Sequence, residues 1–148
     1  MIKEVAHDND YFIELCKKLE KEHIDVVAEQ RSPNGNCLNN LDKYIHVLLY
    51  FDGEKPVGSL AISKPINNVV EIGRLYVLPE YRNKKIATEL FEKAFAIINE
   101  EGNKSAILNT YKRFEAAVHL YKKLGFEIVE TFDFLKNSPY SICMKKDF

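Results

Sequence analysis

Apolar and polar positions recur along this chain in two rhythms, and their order predicts most of its elements. Ile45 to Phe51 (IHVLLYF) is an apolar run of strand length. Asp52-Gly53 supplies a turn, and Pro56-Val57-Gly58 leads into a second strand ending near Ser63, which is a hairpin pattern. Asn67-Asn68 makes the next turn, so a third antiparallel strand starts at Val69 and stops at Pro79. Gly73 interrupts it, and a glycine inside a strand often marks a bulge. From Ile86 the rhythm changes to that of a helix: Ala87, Leu90, Phe91, Ala94, Phe95, Ile97 and Ile98 form one stripe, and Gly102 is placed to end it.

The flanks are read the same way. Met1 to Ala6 is a short strand, and Asp8 and Asp10 are candidates to cap the helix that follows. Phe12, Leu15, Cys16 and Leu19 recur at helical spacing, and a second helical piece covers about Glu22 to Gln30. Arg31 to Asp42 has a loop composition, and its Asn34 to Asn40 part reads equally as a segment that closes over an acceptor and as a mobile surface loop. Ser105 to Thr110 (SAILNT) is a short buried strand. Strand, helix and strand without a hairpin imply a right-handed parallel crossover. A helix over about Arg113 to Leu124, closed by Gly125, precedes strands at Phe126 to Phe132 and Tyr140 to Lys146. The result is a mixed α/β chain of order β-α-α-β-β-β-α-β-α-β-β.

Composition narrows the function classes. With 148 residues the chain is expected to form one domain over 1–148, burying roughly two-thirds of its unfolded surface. A net charge of -1 excludes the basic excess of a nucleic-acid footprint, and no apolar run approaches the ~20 residues of a membrane span. The opening MIKEVAHDND is too polar for a signal peptide. Cys16, Cys37 and Cys143 are three and far apart, which suits reduced thiols in a cytoplasmic setting better than disulfides or a zinc site.

The chemistry concentrates in Val69 to Leu90, VVEIGRLYVLPEYRNKKIATEL. A strand passes through the basic turn Arg82-Asn83-Lys84-Lys85 into a helix start, whose first N–H groups have no partner within the helix. That arrangement suits an anion such as a phosphate, and by itself it equally describes a solvated basic turn.

The run LYVLPEYRNKKIATEL resembles the acetyl-CoA signature of the GCN5-related N-acetyltransferases, V-x-P-x-x-R-x-x-G-x-[GA]. Val77, Pro79, Arg82 and Ala87 stand at its positions. Downstream, AAVHLYKKLGFEIVE resembles the second signature of that family, A-x-x-L-Y-x-x-x-G-F, through Ala117, Leu120, Tyr121, Gly125 and Phe126. EIGRLYV and SICMKK are similar to the corresponding strands of a bacterial branch, so the resemblance covers about Ile45 to the end. The chain departs from the pattern at Lys85, where the motif has glycine, and at Phe114, where many members have asparagine. A lysine forced to positive φ costs about 1–2 kcal/mol.

The resemblance implies acetyl transfer from acetyl-CoA, a co-substrate, to a primary amine by direct attack on the thioester. A small-molecule amine is favoured over a protein or peptide acceptor, and no metal is implied. Leu75, Tyr76 and Val77 would line the pantetheine, with the Leu75 or Tyr76 N–H serving the developing oxyanion. Arg82, Asn83, Lys84, Lys85, Ile86, Ala87 and Thr88 would cradle the pyrophosphate. Tyr121 is the candidate acid for the departing thiolate; its bland alternative is a core aromatic on the stripe Phe114, Ala117, Val118, Tyr121, Leu124. Glu71 is the candidate base, directly or through water; its alternative is a strand carboxylate paired with a lysine. Alternation puts Glu71, Gly73 and Leu75 on one face and Val70, Ile72 and Arg74 on the other, unless a bulge intervenes. His46 reads as structural, His119 as exposed and Cys143 as a buried thiol. A non-catalytic coenzyme A-binding module on the same fold is the competing class. The residues leave the acceptor and the assembly state, a homodimer included, open.

Overall fold

A computed structural model describes residues 1–27, 36–130 and 140–148. Its elements are β1 (Ile2–Val5), α1 (Asp10–Val27), β2 (Tyr44–Asp52), β3 (Lys55–Ser63), β4 (Val69–Val77), α2 (Ile86–Glu100), β5 (Ser105–Tyr111), α3 (Glu115–Lys123), β6 (Glu127–Val129) and β7 (Ser141–Asp147). Short 3-10 turns at Leu41–Lys43 and Pro79–Tyr81 lead into β2 and out of β4. All seven strands join one sheet in the order β1-β2-β3-β4-β5-β7-β6. This is the mixed α/β architecture expected from the pattern. Its C-terminal strand β7 inserts between β5 and β6, antiparallel to both.

Two local expectations change. The two helical pieces expected near the N-terminus form one continuous helix through Val27, and residues 28–30 lie outside the described residues. The cap of α1 is Asn9 rather than Asp8 or Asp10. Its Oδ1 accepts the N–H groups of Tyr11 at 2.9 Å and Phe12 at 3.2 Å, two donors that a helix start otherwise leaves unpaired. The suggested closing loop Asn34 to Asn40 and the end of the strand expected to reach Phe132 fall partly or wholly outside the described residues.

The helices sandwich the sheet. Ile86, Leu90, Phe91, Ala94 and Ile98, the buried stripe of α2, cover the face that carries Gly58, whose missing side chain lets Ile86 and Leu90 come close. Each such large side chain contributes about 1.5–3 kcal/mol when withdrawn from water. Period two puts Ala61, and with it its cross-strand partner Gly73, on the opposite face from Gly58. There α1 packs through Phe12, Leu15, Cys16 and Leu19. Among the described residues no helix is long and apolar enough to cross a membrane.

The feature that matters for chemistry is the parting of β4 and β5. They pair in parallel at only three positions, Val69 with Ser105, Val70 with Ala106 and Glu71 with Ile107. Beyond Glu71, β4 runs on to Val77 and β5 to Tyr111 without a shared ladder. The unpaired edge of β4 therefore faces a gap, at whose far end lies the turn into α2.

Candidate active site

The bulge that interrupts the pairing of β3 with β4 is at Arg74, not at Gly73. The register steps from Ala61–Gly73 to Ser59–Tyr76, so β4 carries one extra residue there. Arg74 adopts φ 55°, a left-handed conformation that costs a non-glycine residue about 1–2 kcal/mol. Gly73 serves a different purpose. A Cβ there would overlap the hydroxyl of Tyr44, which lies directly against the strand. The bulge also resets the alternation. Arg74 points to the face of Gly73 and Tyr44 rather than away from it.

Arg74 is bonded through all three guanidinium nitrogens. Nε donates to the carbonyl of Cys37 at 2.8 Å, Nη2 to that of Asn39 at 3.0 Å and Nη1 to the Tyr44 hydroxyl at 3.0 Å. The guanidinium also stacks over the Tyr44 ring, 5.3 Å from its centroid. Burial raises the Tyr44 phenol well above its usual range despite the nearby cation, so it stays a neutral donor and acceptor. The backbone carbonyl of Arg74 accepts the hydroxyl of buried Ser59 at 2.8 Å.

Glu71 sits at the vertex of the gap. Both its carboxylate oxygens lie 3.3 Å from Lys43 Nζ, and Ser63 Oγ accepts its N–H at 2.8 Å. The lysine pairing foreseen as its alternative role is thus present. The carboxylate is 30% exposed, so it remains in reach of a solvent-borne group.

At the other end, the turn into α2 is left-handed at Asn83 (φ 63°) and at Lys85 (φ 65°). Lys85 therefore adopts the conformation that the motif glycine would take easily, and it is the N-cap of α2 without a side-chain cap. The first helical bond is Glu89 N–H to Lys85 C=O at 3.0 Å. Among the described residues, the backbone N–H groups of Asn83, Lys84, Lys85, Ile86, Ala87 and Thr88 meet no protein acceptor. Six successive free donors at a helix start, with two ammonium groups beside them, fit a pyrophosphate.

The Arg82 side chain is engaged elsewhere. Its Nε donates to the Val77 carbonyl at 2.9 Å and its Nη2 to Glu22 of α1 at 2.8 Å, while its guanidinium lies over Tyr76. Arg82 thus fastens the end of β4 to α1. Lys84 lies over the Tyr81 ring, and Tyr81 donates to Asp52 at 2.7 Å. Of the three cations in the turn, Lys85 makes no ion pair, side-chain hydrogen bond or ring contact among the described residues.

Tyr121 packs in α3 against Phe91 and Phe126, with ring centroids at 5.7 and 6.2 Å. Burial raises its phenol above the usual range, which keeps the proton on the oxygen. Tyr121 makes no hydrogen bond among the described residues. The core reading and the acid reading of Tyr121 are therefore compatible: the ring is core and the hydroxyl is free.

The remaining candidates fall into place around α1. His23 lies between Tyr111 and Phe114, with ring centroids at 5.6 and 5.4 Å, and its Nδ1 is 3.5 Å from Cys37 Sγ. Phe114 thus joins an aromatic cluster on the α1 face, a contact invisible in the sequence because His23 lies far along the chain from Tyr111 and Phe114. Cys143 donates to Asn109 Oδ1 at 2.8 Å, and burial pushes the Cys16 thiol up to about 12, so neither is a poised nucleophile. His119 is exposed. Among the described residues no three His, Cys, Asp or Glu side chains gather as metal ligands.

Comparisons with known proteins bear on the family and the fold. The model of the Acetyltransferase (GNAT) family matches residues 9–126. Spermidine N(1)-acetyltransferase of Thermoplasma acidophilum is 33% identical over 79 residues, which cover 52% of this chain and 49% of that protein. The chain therefore aligns with about half the length of that curated relative. An acetyltransferase of the GNAT family from Staphylococcus aureus Mu50 superposes with a TM-score of 0.77 at 20% identity, covering 99% of each chain. PaiA N-acetyltransferase of Thermoplasma acidophilum, solved in complex with coenzyme A, gives 0.74 at 21% identity over 100% of this chain and 99% of its own. These structural likenesses speak for the fold.

Proposed function

The chain belongs to the acetyltransferase (GNAT) family, and from that premise we propose that it transfers an acetyl group from acetyl-CoA to a small primary amine. One observation carries the reading. The six unpaired N–H groups of Asn83 to Thr88 lie at the end of a strand whose edge is itself unpaired. Donors for a pyrophosphate and an open strand edge for an amide-bearing arm follow one another along the chain, as coenzyme A requires.

When bound, acetyl-CoA supplies the activated acyl group. The chain's residues do the rest. Leu75 to Val77 offer backbone groups to the pantetheine, in the manner of an added strand. The Leu75 or Tyr76 N–H donates a hydrogen bond to the negative charge that gathers on the acyl oxygen. Glu71 takes a proton from the incoming ammonium, directly or through water, and Lys43 must then yield its place at the carboxylate. Tyr121 gives its proton to the departing sulfur. Its raised pKa works against donation, and the same desolvation raises the basicity of the thiolate. The stretch shared with a spermidine N(1)-acetyltransferase supports a small cationic amine as acceptor.

Calorimetric titration of the chain with acetyl-CoA, followed by thiol release with a panel of primary amines and polyamines, tests the proposal. Binding with release on at least one amine is expected. Binding without release across the panel would point to a non-catalytic module, and no binding would end both readings.

A further inference from the structure

We infer that Arg74 is a positioning residue for the acyl group, holding the bulge of β4 in the one geometry that turns the Leu75–Tyr76 backbone toward the gap. The inference rests on the acyl-transfer reading above and deepens it at the same site. Arg74 occupies a left-handed conformation that its side chain disfavours. Such a conformation persists only where the surroundings over-determine it, and such sites cluster where geometry serves function.

Here the surroundings do so from both ends of the residue. The side chain is bound to Cys37, Asn39 and Tyr44 through three nitrogens, and the main-chain carbonyl is bound by Ser59 from the neighbouring strand. The peptide that follows that carbonyl carries the Leu75 N–H. Fixing the carbonyl therefore fixes the direction of the donor next to it. The Tyr44 hydroxyl sits against Gly73, so the residue before the bulge is fixed as well.

The same bonds hold the guanidinium in place through three of its five N–H donors, and Glu71 is not its partner, being paired by Lys43 instead. Nor can lysine replace it. An ammonium is a single point on a flexible stem and cannot reach three acceptors in a planar fork.

The test uses Arg74→Lys and Arg74→Gly in the full chain, with kcat, the amine KM and the dissociation constants of coenzyme A and acetyl-CoA. Glycine takes the left-handed conformation freely but has no clamp. Both variants are expected to lose kcat by on the order of 10²-fold, the effect of misplacing a reacting group or losing one oxyanion donor. Coenzyme A affinity should stay within about twofold, because the turn at Asn83 to Thr88 is untouched. Ser59→Ala, which removes only the bond to the Arg74 carbonyl, should lose about tenfold and keeps the question answerable if an Arg74 variant does not fold. Folded variants with wild-type kcat would overturn the inference, as would a loss carried by the amine KM alone. Wild-type protein that neither binds acetyl-CoA nor releases thiol would overturn the underlying reading, and this one with it. Active wild type with unaffected Arg74 and Ser59 variants would overturn this one alone.

Discussion

The two sides of β4 are built in opposite ways. Toward α1 and β3 its groups are satisfied: Arg74, Tyr44, Ser59 and Gly73 lock the bulge, and Arg82 ties the strand end to Glu22. Toward β5 and the start of α2, among the described residues, its edge is unpaired beyond Glu71 and six consecutive N–H groups lack an acceptor. Both sides contain non-glycine residues in left-handed backbone, Arg74 on one and Lys85 on the other. Arg74 is clamped, whereas Lys85 has no side-chain support among the described residues. The closed side therefore carries its geometry within the protein, and the open side presents donors for something else to complete.

Substitutions can break this contrast. The largest effect is expected on the open side, where Tyr121→Phe should lower turnover by on the order of 10²-fold. Coenzyme A affinity and stability should be nearly unchanged, since the hydroxyl bonds no protein group among the described residues. Unaltered turnover would mean that another group, such as water, protonates the thiolate. On the closed side, Gly73→Ala drives a methyl into the Tyr44 hydroxyl. A destabilisation of about 1–3 kcal/mol is expected in urea unfolding, with turnover falling as the bulge shifts. Wild-type stability would show that Tyr44 can move aside.

Lys85→Gly sharpens the contrast at smaller scale. It relieves about 1–2 kcal/mol of left-handed strain and gives back roughly 0.5–1 kcal/mol in unfolded-state entropy. Stability should change little, and coenzyme A affinity should be kept or improved. A large loss of affinity would make the Lys85 ammonium itself a phosphate ligand.

The smallest effect lies remote from both sides. His46 bridges Glu4 and Glu101 at 3.0 and 2.6 Å. Partial burial pulls its pKa down, but the two carboxylates outweigh that, and the net shift is upward from 6.5. A raised pKa stabilises the fold fully below the ordinary value, and the contribution is lost as pH climbs through the folded value. Wild type should therefore lose stability relative to His46→Gln above about pH 6.5. The size is under ~1 kcal/mol, because the partners are largely exposed. Coenzyme A binding should not follow this change. A relative gain with rising pH would contradict the sign.

Much of this was legible in the sequence. The strands, the stripe of α2 and the crossover after Val77 followed from periodicity, because each is a local pattern that burial reads directly. Three features were hidden, for a common reason. Gly73 suggested the bulge, but its glycine answers to Tyr44, a tertiary contact 29 residues away in sequence. Arg82 read as a phosphate contact, yet its side chain is bonded to Val77 and Glu22. Arg74 read only as a strand residue on the face opposite Gly73, since nothing local marks a residue whose three acceptors lie between Cys37 and Tyr44. Periodicity reports which face a residue shares, not which distant group completes its bonds.

The most direct measurement is a backbone amide NMR titration of the chain with acetyl-CoA. The largest shift changes should fall on Asn83 to Thr88 and on Leu75 to Val77, with little change along the exposed face of α1. Absent changes, or changes centred elsewhere, would contradict a coenzyme A site built from the turn and the open edge of β4.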